Sequence, residues 1–335
     1  MKCKGYIHSN VLFWIDLRSI LYDFIAKIEK LSFVISLQVF RLDSVKMKIA
    51  ILGARGFVGG NLGRLLISHG HEVTGYVLNP ELETKIGFEC KSVYKLLDSQ
   101  IGVEPVYDVT INLAARRATR AQPFSESQVN DFTYEIPKEF ILRTAGPETL
   151  VLNSSTYIQN FGGKTGHTVD SYGVSKEKLS RFLERESLRH KFKTIDLFFF
   201  TLYGEGDRPS HLVPLLLDAA FTGKQISLSP GNQLMNLLYI EDALGNILRC
   251  INQNGIVNYQ KNYVWAAEYF SVRELVDRIQ SSIGREIDCA WGEREYVGHE
   301  MMEPWSIPME QLPGFKAPTL LEDGIKKIWK SILKD

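Results

Sequence analysis

Three glycines, Gly53, Gly56 and Gly59, stand between an apolar run, Ile49–Leu52, and a helical stripe of Val58, Leu62, Leu65 and Leu66. That order constrains the chain more than any other feature. A short apolar run suits a buried parallel strand. Glycines at its end allow a tight turn whose bare backbone approaches an anion at a helix N-terminus. Gly70 closes the helix as a residue past its C-cap, and a second strand-like run, Glu72–Leu78, follows on schedule. Strand, turn, helix and strand in this order predict a dinucleotide-binding βαβ unit at the front of a doubly wound α/β fold. A structural turn that holds no ligand is the competing reading.

Farther on, Tyr107–Ala115 and Leu150–Ser155 read as further buried strands. Their ends would lie on the same carboxyl edge of the sheet as the glycine turn. Leu113, Ala114 and Ala115 leave space there for a flat ligand. The backbone of Gly53, Arg55, Gly56, Phe57, Val58 and Gly59 is the expected cradle, with Asn79 at the tip of the second strand. An acidic residue at that tip would hold the adenosine ribose of NAD, but Val77, Leu78 and Asn79 supply none. Arg55 can instead meet a 2′-phosphate, so NAD(P) is expected with a lean to NADPH. A simply solvated Arg55 is the plainer alternative.

The bulk numbers exclude several classes. The chain has 335 residues with 39 Lys+Arg against 39 Asp+Glu, so no net field draws it to nucleic acid or anionic lipid. Its four cysteines are far apart and its seven histidines lack ligand spacing, which argues against a disulfide framework or a metal site and fits a cytoplasmic location. Residues 1–46 contain a stripe of Leu17, Ile20, Leu21, Phe24, Ile25, Ile28 and Leu31, an amphipathic helix pattern broken by charges. No run there approaches the roughly 18 apolar residues of a membrane span. This segment is either a helix packed on the body or on a membrane surface, or an upstream extension of the reading frame. The second reading is preferred, because a complete fold begins at Met47.

The strand Leu150–Ser155 delivers the stretch NSSTYIQNFGGKTGHTVDSYGVSK. Tyr172 and Lys176, four apart, share one helix face. An ammonium near a phenol favours phenolate and lowers the phenol's pKa from about 10. Ser155, at the strand tip, can hydrogen-bond a substrate carbonyl. The three make an acid/base unit for carbonyl reduction or alcohol oxidation.

These residues resemble the extended short-chain dehydrogenase/reductases. The resemblance runs from Met47 to the C-terminus. It covers the glycine turn, NLAA at Asn112–Ala115, the Ser…Tyr-x-x-x-Lys set, TLYGEGDRPSHLVP (Thr201–Pro214), LSPGNQLMNLLYIEDA (Leu228–Ala243) and GFKAPTLLEDGIKKI (Gly314–Ile328). It implies a Rossmann doubly wound parallel sheet at 47–200 and a smaller, interleaved α/β substrate lobe at 201–335. It also implies Tyr172 as acid/base, Lys176 on the nicotinamide ribose, Ser155 polarising the substrate oxygen, and Asn130 as a structural asparagine. Nucleotide-linked sugars are the implied substrates, with Thr156, Thr201 and Arg208 toward the sugar nucleotide. A homodimer through the helices around 130–145 and 172–190 is implied as well.

Departures from the family pattern narrow the chemistry. Sugar 4,6-dehydratases follow the catalytic hydroxyl with Asp-Glu, whereas Thr156 and Tyr157 follow Ser155 here. The fucose-type epimerase/reductases carry a cysteine where Tyr157 stands. A 4-keto reduction, as in the small reductases that finish deoxyhexoses for bacterial surface polysaccharides, or a 4-epimerisation then remains. In those relatives the hydroxyl cluster varies, so Thr156 can take the polarising role of Ser155. The family's Q-x-R-D-F reads Gln233, Leu234, Met235, Asn236, Leu237, without the arginine that meets the phosphates. Arg208, Arg116, Arg117 and Arg120 are the substitutes, or they are solvated loop residues. A catalytically silent nucleotide-binding regulator and a small-molecule ketone reductase are the remaining alternatives. Ser271 with Glu274, and Thr319 with Glu322, read as capping boxes, and Val272, Leu275, Val276 and Ile279 as core.

Overall fold

The computed structural model describes residues 46–80, 87–99, 106–118, 123–164, 166–253, 255, 258–266, 268–298, 300–305 and 310–334. The stripe expected in residues 1–46, and Arg120, lie outside them. Met47–Asp335 forms one compact unit.

Strand β1 (Lys48–Leu52) leads through the glycine turn into helix α1 (Phe57–Ser68) and strand β2 (Glu72–Val77). Gly70, with φ at +89°, follows the C-cap His69. Short β3 (Cys90–Ser92) and α2 (Val93–Asp98) come next, then β4 (Val109–Asn112). The strand expected over 107–115 is therefore shorter, and Leu113–Ala115 emerge beyond it as a free edge. Helix α3 (Glu126–Asn130), capped by a Ser125–Gln128 capping box, passes through a π-helical turn, Asp131–Glu135, into α4 (Ile136–Thr144). Asn130 stands at the entry to that turn, and its Oδ1 accepts a hydrogen bond from Lys178 Nζ at 3.2 Å. Strand β5 (Leu150–Thr156), a 3₁₀ segment at Tyr157–Gly163, helix α5 (Ser171–Leu188) and β6 (Lys193–Phe199) complete the first part of the chain.

Among the described residues, the rest is built of short strand pairs and four helices. Parallel β7 (Thr201–Tyr203) with β10 (Leu237–Tyr239), antiparallel β9 (Leu234–Met235) with β12 (Phe270–Ser271), and parallel β8 (Ile226–Leu228) with β13 (Cys289–Trp291) form the pairs. The helices are α6 (Leu212–Thr222), α7 (Ile240–Ile251), α8 (Val272–Ile283) and α9 (Leu321–Ile332). Strand β11 (Tyr259–Val264) returns from this part to the central sheet and pairs with β6.

That sheet has seven parallel strands in the order β11-β6-β5-β4-β1-β2-β3. The order reverses between β1 and β4, which opens a crevice at their carboxyl ends. Alternation along β1 serves two cores. Ile49 and Ile51 face the layer of α1, α6, α7 and α8, whereas Ala50 and Leu52 face α4 and α5. On the α5 side Leu179, Phe182 and Leu183 are buried, each contributing roughly 2 kcal/mol. No helix among the described residues is long and apolar enough to cross a membrane.

The two capping-box expectations diverge. Ser271 accepts from Glu274 N at 3.1 Å while the Glu274 carboxylate accepts from Ser271 N, and the stripe Val272, Leu275, Val276 and Ile279 is buried. Thr319 forms no box with Glu322. Its hydroxyl and its N–H both go to the buried carboxylate of Asp242, while Glu322 accepts from Arg278 Nε at 2.6 Å. Leu320, with no side-chain cap, opens α9. Two tertiary partners that need pairing displace the local bond.

Within the glycine turn, Gly53 adopts φ +85°, and a Cβ on Gly59 would come within 2.3 Å of the Gly53 carbonyl oxygen. Helix and strand can approach this closely only without that carbon. Gly59→Ala is expected to lower stability by about 1–3 kcal/mol through overpacking, and to weaken dinucleotide binding. Chemical denaturation and fluorescence titration with reduced nicotinamide dinucleotide check both effects.

Candidate active site

Helix α1 begins at the switch point of the sheet with Gly56 as N-cap, so no side chain satisfies its first-turn N–H groups. Those donors and the positive end of the helix dipole make the place suited to a pyrophosphate. Leu113, Ala114 and Ala115 lie half-buried on the facing edge, and a Cβ on Gly53 would stand 2.9 Å from Ala114 N. The turn is thus pressed against the second half of the crevice. Arg55 reaches the tip of β2, where its guanidinium donates to the carbonyls of Asn79 and Pro80. Its buried Nε has no hydrogen-bond partner. Arg55 therefore stands beside Asn79, where an adenosine ribose would lie, and the residues present fit a dinucleotide.

Helix α5 starts on Asp170, whose Oδ1 accepts from Gly173 N at 2.7 Å. Tyr172, Lys176 and Ser180 follow at four-residue spacing on the face toward β5 and β6. The Lys176 ammonium, 2% exposed, donates to the Ser154 carbonyl. Burial lowers its pKa to about 8, opposed by the negative field of Asp196. Tyr172 is half-buried, and its pKa is pushed up to about 12. Burial is the largest cause. The Arg117 charge and a hydrogen bond from Thr156 pull it down, and Asp170 and Tyr157 push it up. The lowering of Tyr172 by Lys176 expected from their spacing is therefore not what governs the phenol. Desolvation outweighs it, and the cation acting on the ring is Arg117, 5.7 Å from its centroid and paired with Asp170 at 3.1 Å.

The structure places the hydroxyl expected to polarise the substrate against buried partners. Ser155, 3% exposed, points onto the body of α5, where its Oγ donates to Asp196 Oδ1 at 2.6 Å and lies 3.1 Å from Ser180 Oγ. Side chains alternate along a strand, so a step of one residue changes the face. Thr156 is the residue whose hydroxyl reaches Tyr172. It also caps the 3₁₀ segment, accepting from Ile158 N, while Gln159 Oε1 accepts from Thr156 N at 3.0 Å.

Beyond Thr156, aromatic side chains pack into one cluster. Tyr157 stacks on Phe200 with centroids 4.6 Å apart and 8° between planes, and Trp305 closes on Tyr157 and Phe161 at 5.4 and 5.2 Å. Thr201 hydrogen-bonds Tyr157, which places it in the site through that ring. Of the candidate arginines, Arg116 packs over the rings of Phe124 and Phe132, Arg117 sits over Tyr172, and Arg208 is exposed. Where the family arginine is absent, Gln233 Nε2 donates to Ser229 Oγ at 2.7 Å and contacts Glu300 Oε1 at 3.5 Å. The remaining side-chain oxygens, Gln233 Oε1 and Glu300 Oε2, are buried without partners. Burial raises the pKa of Glu300, whose charge acts on Tyr157. Glu300 had no sequence signal, because it joins the site from a loop far down the chain.

The switch-point crevice, the bare helix N-terminus and the Tyr172–Lys176 pair define a dinucleotide-dependent enzyme of the extended short-chain dehydrogenase/reductase class. Comparison with known proteins agrees. The model of the NAD dependent epimerase/dehydratase family matches residues 49–262, and the chain belongs to that family. It is 26% identical over 267 residues to a CDP-abequose synthase of Yersinia pseudotuberculosis, covering 77% of this chain and 92% of that protein. Among solved structures, MoeE5 in complex with UDP-glucose and NAD superposes with a TM-score of 0.73 at 19% identity, over 86% of this chain and 100% of that one. A UDP-glucuronic acid 4-epimerase from Bacillus cereus, in complex with UDP-glucuronic acid and NAD, gives 0.70 at 18% identity, over 86% and 99%.

The two hydroxyls can be separated by mutation. Thr156→Val is expected to reduce kcat by about 10²-fold, as loss of an oriented donor does. Ser155→Ala should instead keep activity within about fivefold and lower stability by about 1–3 kcal/mol, since it removes a donor from a buried carboxylate. Steady-state kinetics beside urea denaturation of the same proteins decides between the two placements.

Proposed function

We propose that the chain reduces a 4-keto group on a nucleotide-linked deoxysugar with NAD(P)H. What supports this is the setting of the Tyr172 phenol, on the Lys176 face of α5 with Arg117 over its ring and its pKa raised by burial. A phenol held at about 12 stays protonated across the neutral range, so Tyr172 is set to give a proton to a developing alkoxide. A 4-epimerase must first remove a proton with the same group. When bound, the nicotinamide supplies the hydride. Thr156 donates a hydrogen bond to the same carbonyl oxygen that Tyr172 protonates, and Lys176, as an ammonium, holds the nicotinamide ribose hydroxyls. Asp170 is committed to Arg117 and to the helix cap, so that carboxylate is not free to drive elimination.

The substrate class is supported by the sugar nucleotides named for the structural neighbours and by a relative named for making a CDP-linked sugar. Arg55 at the tip of β2, with no acidic residue at 77–79, supports NADPH over NADH. A 4-epimerase is the second reading, favoured by the fold neighbour that carries that activity.

Absorbance at the reduced-nicotinamide band, with NADPH or NADH and a panel of nucleotide-4-keto-6-deoxysugars, tests the proposal. A steady fall with one sugar is expected, reduced about 10²–10⁴-fold in Tyr172→Phe. Arg55→Ala should weaken NADPH about tenfold and leave NADH nearly unchanged. A flat trace with cofactor demonstrably bound supports the epimerase, and unchanged turnover in Tyr172→Phe removes the mechanism.

We also propose a homodimer through α3–α4 and α5, where Leu142 and Val174 are 40% and 41% exposed. Sedimentation equilibrium should give twice the 38.1 kDa chain mass, and Val174→Glu should shift it toward the monomer.

A further inference from the structure

Between β4 and α3 the chain carries Arg116 and Arg117 side by side, and one buried hydroxyl holds the backbone there. Thr133 stands in the π-helical turn Asp131–Glu135 and is fully buried. Its Oγ1 accepts from Arg116 N at 3.1 Å and donates to the Arg116 carbonyl, also at 3.1 Å. A single hydroxyl thus fixes both polar backbone groups of residue 116. The Arg116 guanidinium is held as well, 4.9 and 4.6 Å from the ring centroids of Phe124 and Phe132. A π-helical turn widens a helix locally and often marks a functional site. Here it supplies the anchor for the neighbouring arginine.

With residue 116 fixed, Arg117 lies over Tyr172, its guanidinium carbon 5.7 Å from the ring centroid. At that range the ring face attracts a cation. Arg117 Nη2 donates to Asp170 Oδ2 at 3.1 Å, while Asp170 Oδ1 accepts from Gly173 N at 2.7 Å. One carboxylate therefore caps α5 and pins the guanidinium over a side chain two residues on. The Arg117 and Asp170 side chains are 32% and 28% exposed, so solvent screens each charge in part. The other groups acting at Tyr172 are Lys176 one turn along α5, and Thr156 and Tyr157 from the end of β5. Among all of these, Arg117 is the chief influence that favours the ionised phenol against burial.

Resting on the acid/base role proposed for Tyr172, we infer that Arg117 is a positioning residue of the active site. Held by Thr133 and Asp170, it keeps a fixed positive charge over the phenol and balances the negative charge that Tyr172 acquires on giving up its proton. In that step the Tyr172 O–H bond breaks and the proton goes to the substrate alkoxide. The electron pair stays on the phenolate oxygen. A guanidinium that merely ties the loop to α5 would leave the ionisation of Tyr172 unchanged when replaced.

Arg117→Met keeps an unbranched stem and removes the charge, and Arg117→Lys returns the charge. A difluorotyrosine in place of Tyr172, more acidic than tyrosine, reports ionisation through its fluorine resonance without cofactor or sugar. In Arg117→Met its titration midpoint should rise by about one pH unit, because the charge that favoured the phenolate is gone. Arg117→Lys should bring it at least halfway back. Arg117→Gln, neutral but still able to donate to Asp170, should match Arg117→Met. That variant carries the test if Arg117→Met does not fold. An unmoved midpoint in a folded neutral variant overturns the inference, and so does an equal rise in Arg117→Lys.

Turnover gives the second readout, with NADPH and the sugar that is reduced in the assay above. In Arg117→Met, kcat should fall about tenfold, the equivalent of one pH unit of phenolate stabilisation, with KM within about twofold. A raised midpoint with unchanged kcat sustains the action of Arg117 on the phenol and overturns instead the acid role of Tyr172.

Discussion

The approach of Gly59 to the carbonyl of Gly53 sets the distance between the first helix and the first strand, and the rest of the site is built outward from it. With no Cβ in the way, α1 begins directly over the carboxyl end of β1 and its N–H groups stay bare. The strand order reverses at that point, so the crevice between β1 and β4 opens where those donors are aimed. Parallel pairing then fixes the next step. β4 and β5 run in register beside β1, which brings Ala114 and Thr156 to the same edge as the glycine turn.

Burial does most of the electrical tuning. It pushes the Tyr172 phenol up and the Lys176 amine down, so both groups favour their neutral forms where nothing opposes it. Single charges then adjust each one: Arg117 across the Tyr172 ring, and the negative charge of Asp196 on Lys176. Low local dielectric makes these individual partners matter more than their number. It also requires that each carry hydrogen bonds of its own, and Asp170 and Asp196 both do.

Local signals were legible where the physics is local. The glycine turn, the αL residue after α1, the Tyr172–Lys176 spacing and the Ser271 capping box each depend on residues within one turn of helix or one tight bend. The positions whose partners were not legible share one feature, which is competition from distant partners. Ser155 and Thr156 are adjacent hydroxyls that sequence alone cannot rank, and the pleat together with Asp196 from β6 decides between them. Thr319 had a suitable glutamate three residues on, but Asp242 from α7 claimed both of its donors. Arg116 and Arg117 are identical neighbours, yet one lies between two phenylalanines and the other over Tyr172.

The sequence by itself determined that a parallel α/β sheet would form, that its front turn would leave a helix N-terminus bare, and that a phenol and an ammonium would share a helix face. Periodicity, glycine spacing and helical geometry are short-range properties, and a single strand of text contains them. Tertiary structure alone decided which hydroxyl meets Asp196, which arginine lies over Tyr172, how far burial moves both titrating groups, and that the charges of Glu300 and Asp196 act on Tyr157 and Lys176. Those outcomes depend on dielectric and on contacts between segments from 41 to more than 140 residues apart, and such contacts exist only once the chain has closed on itself.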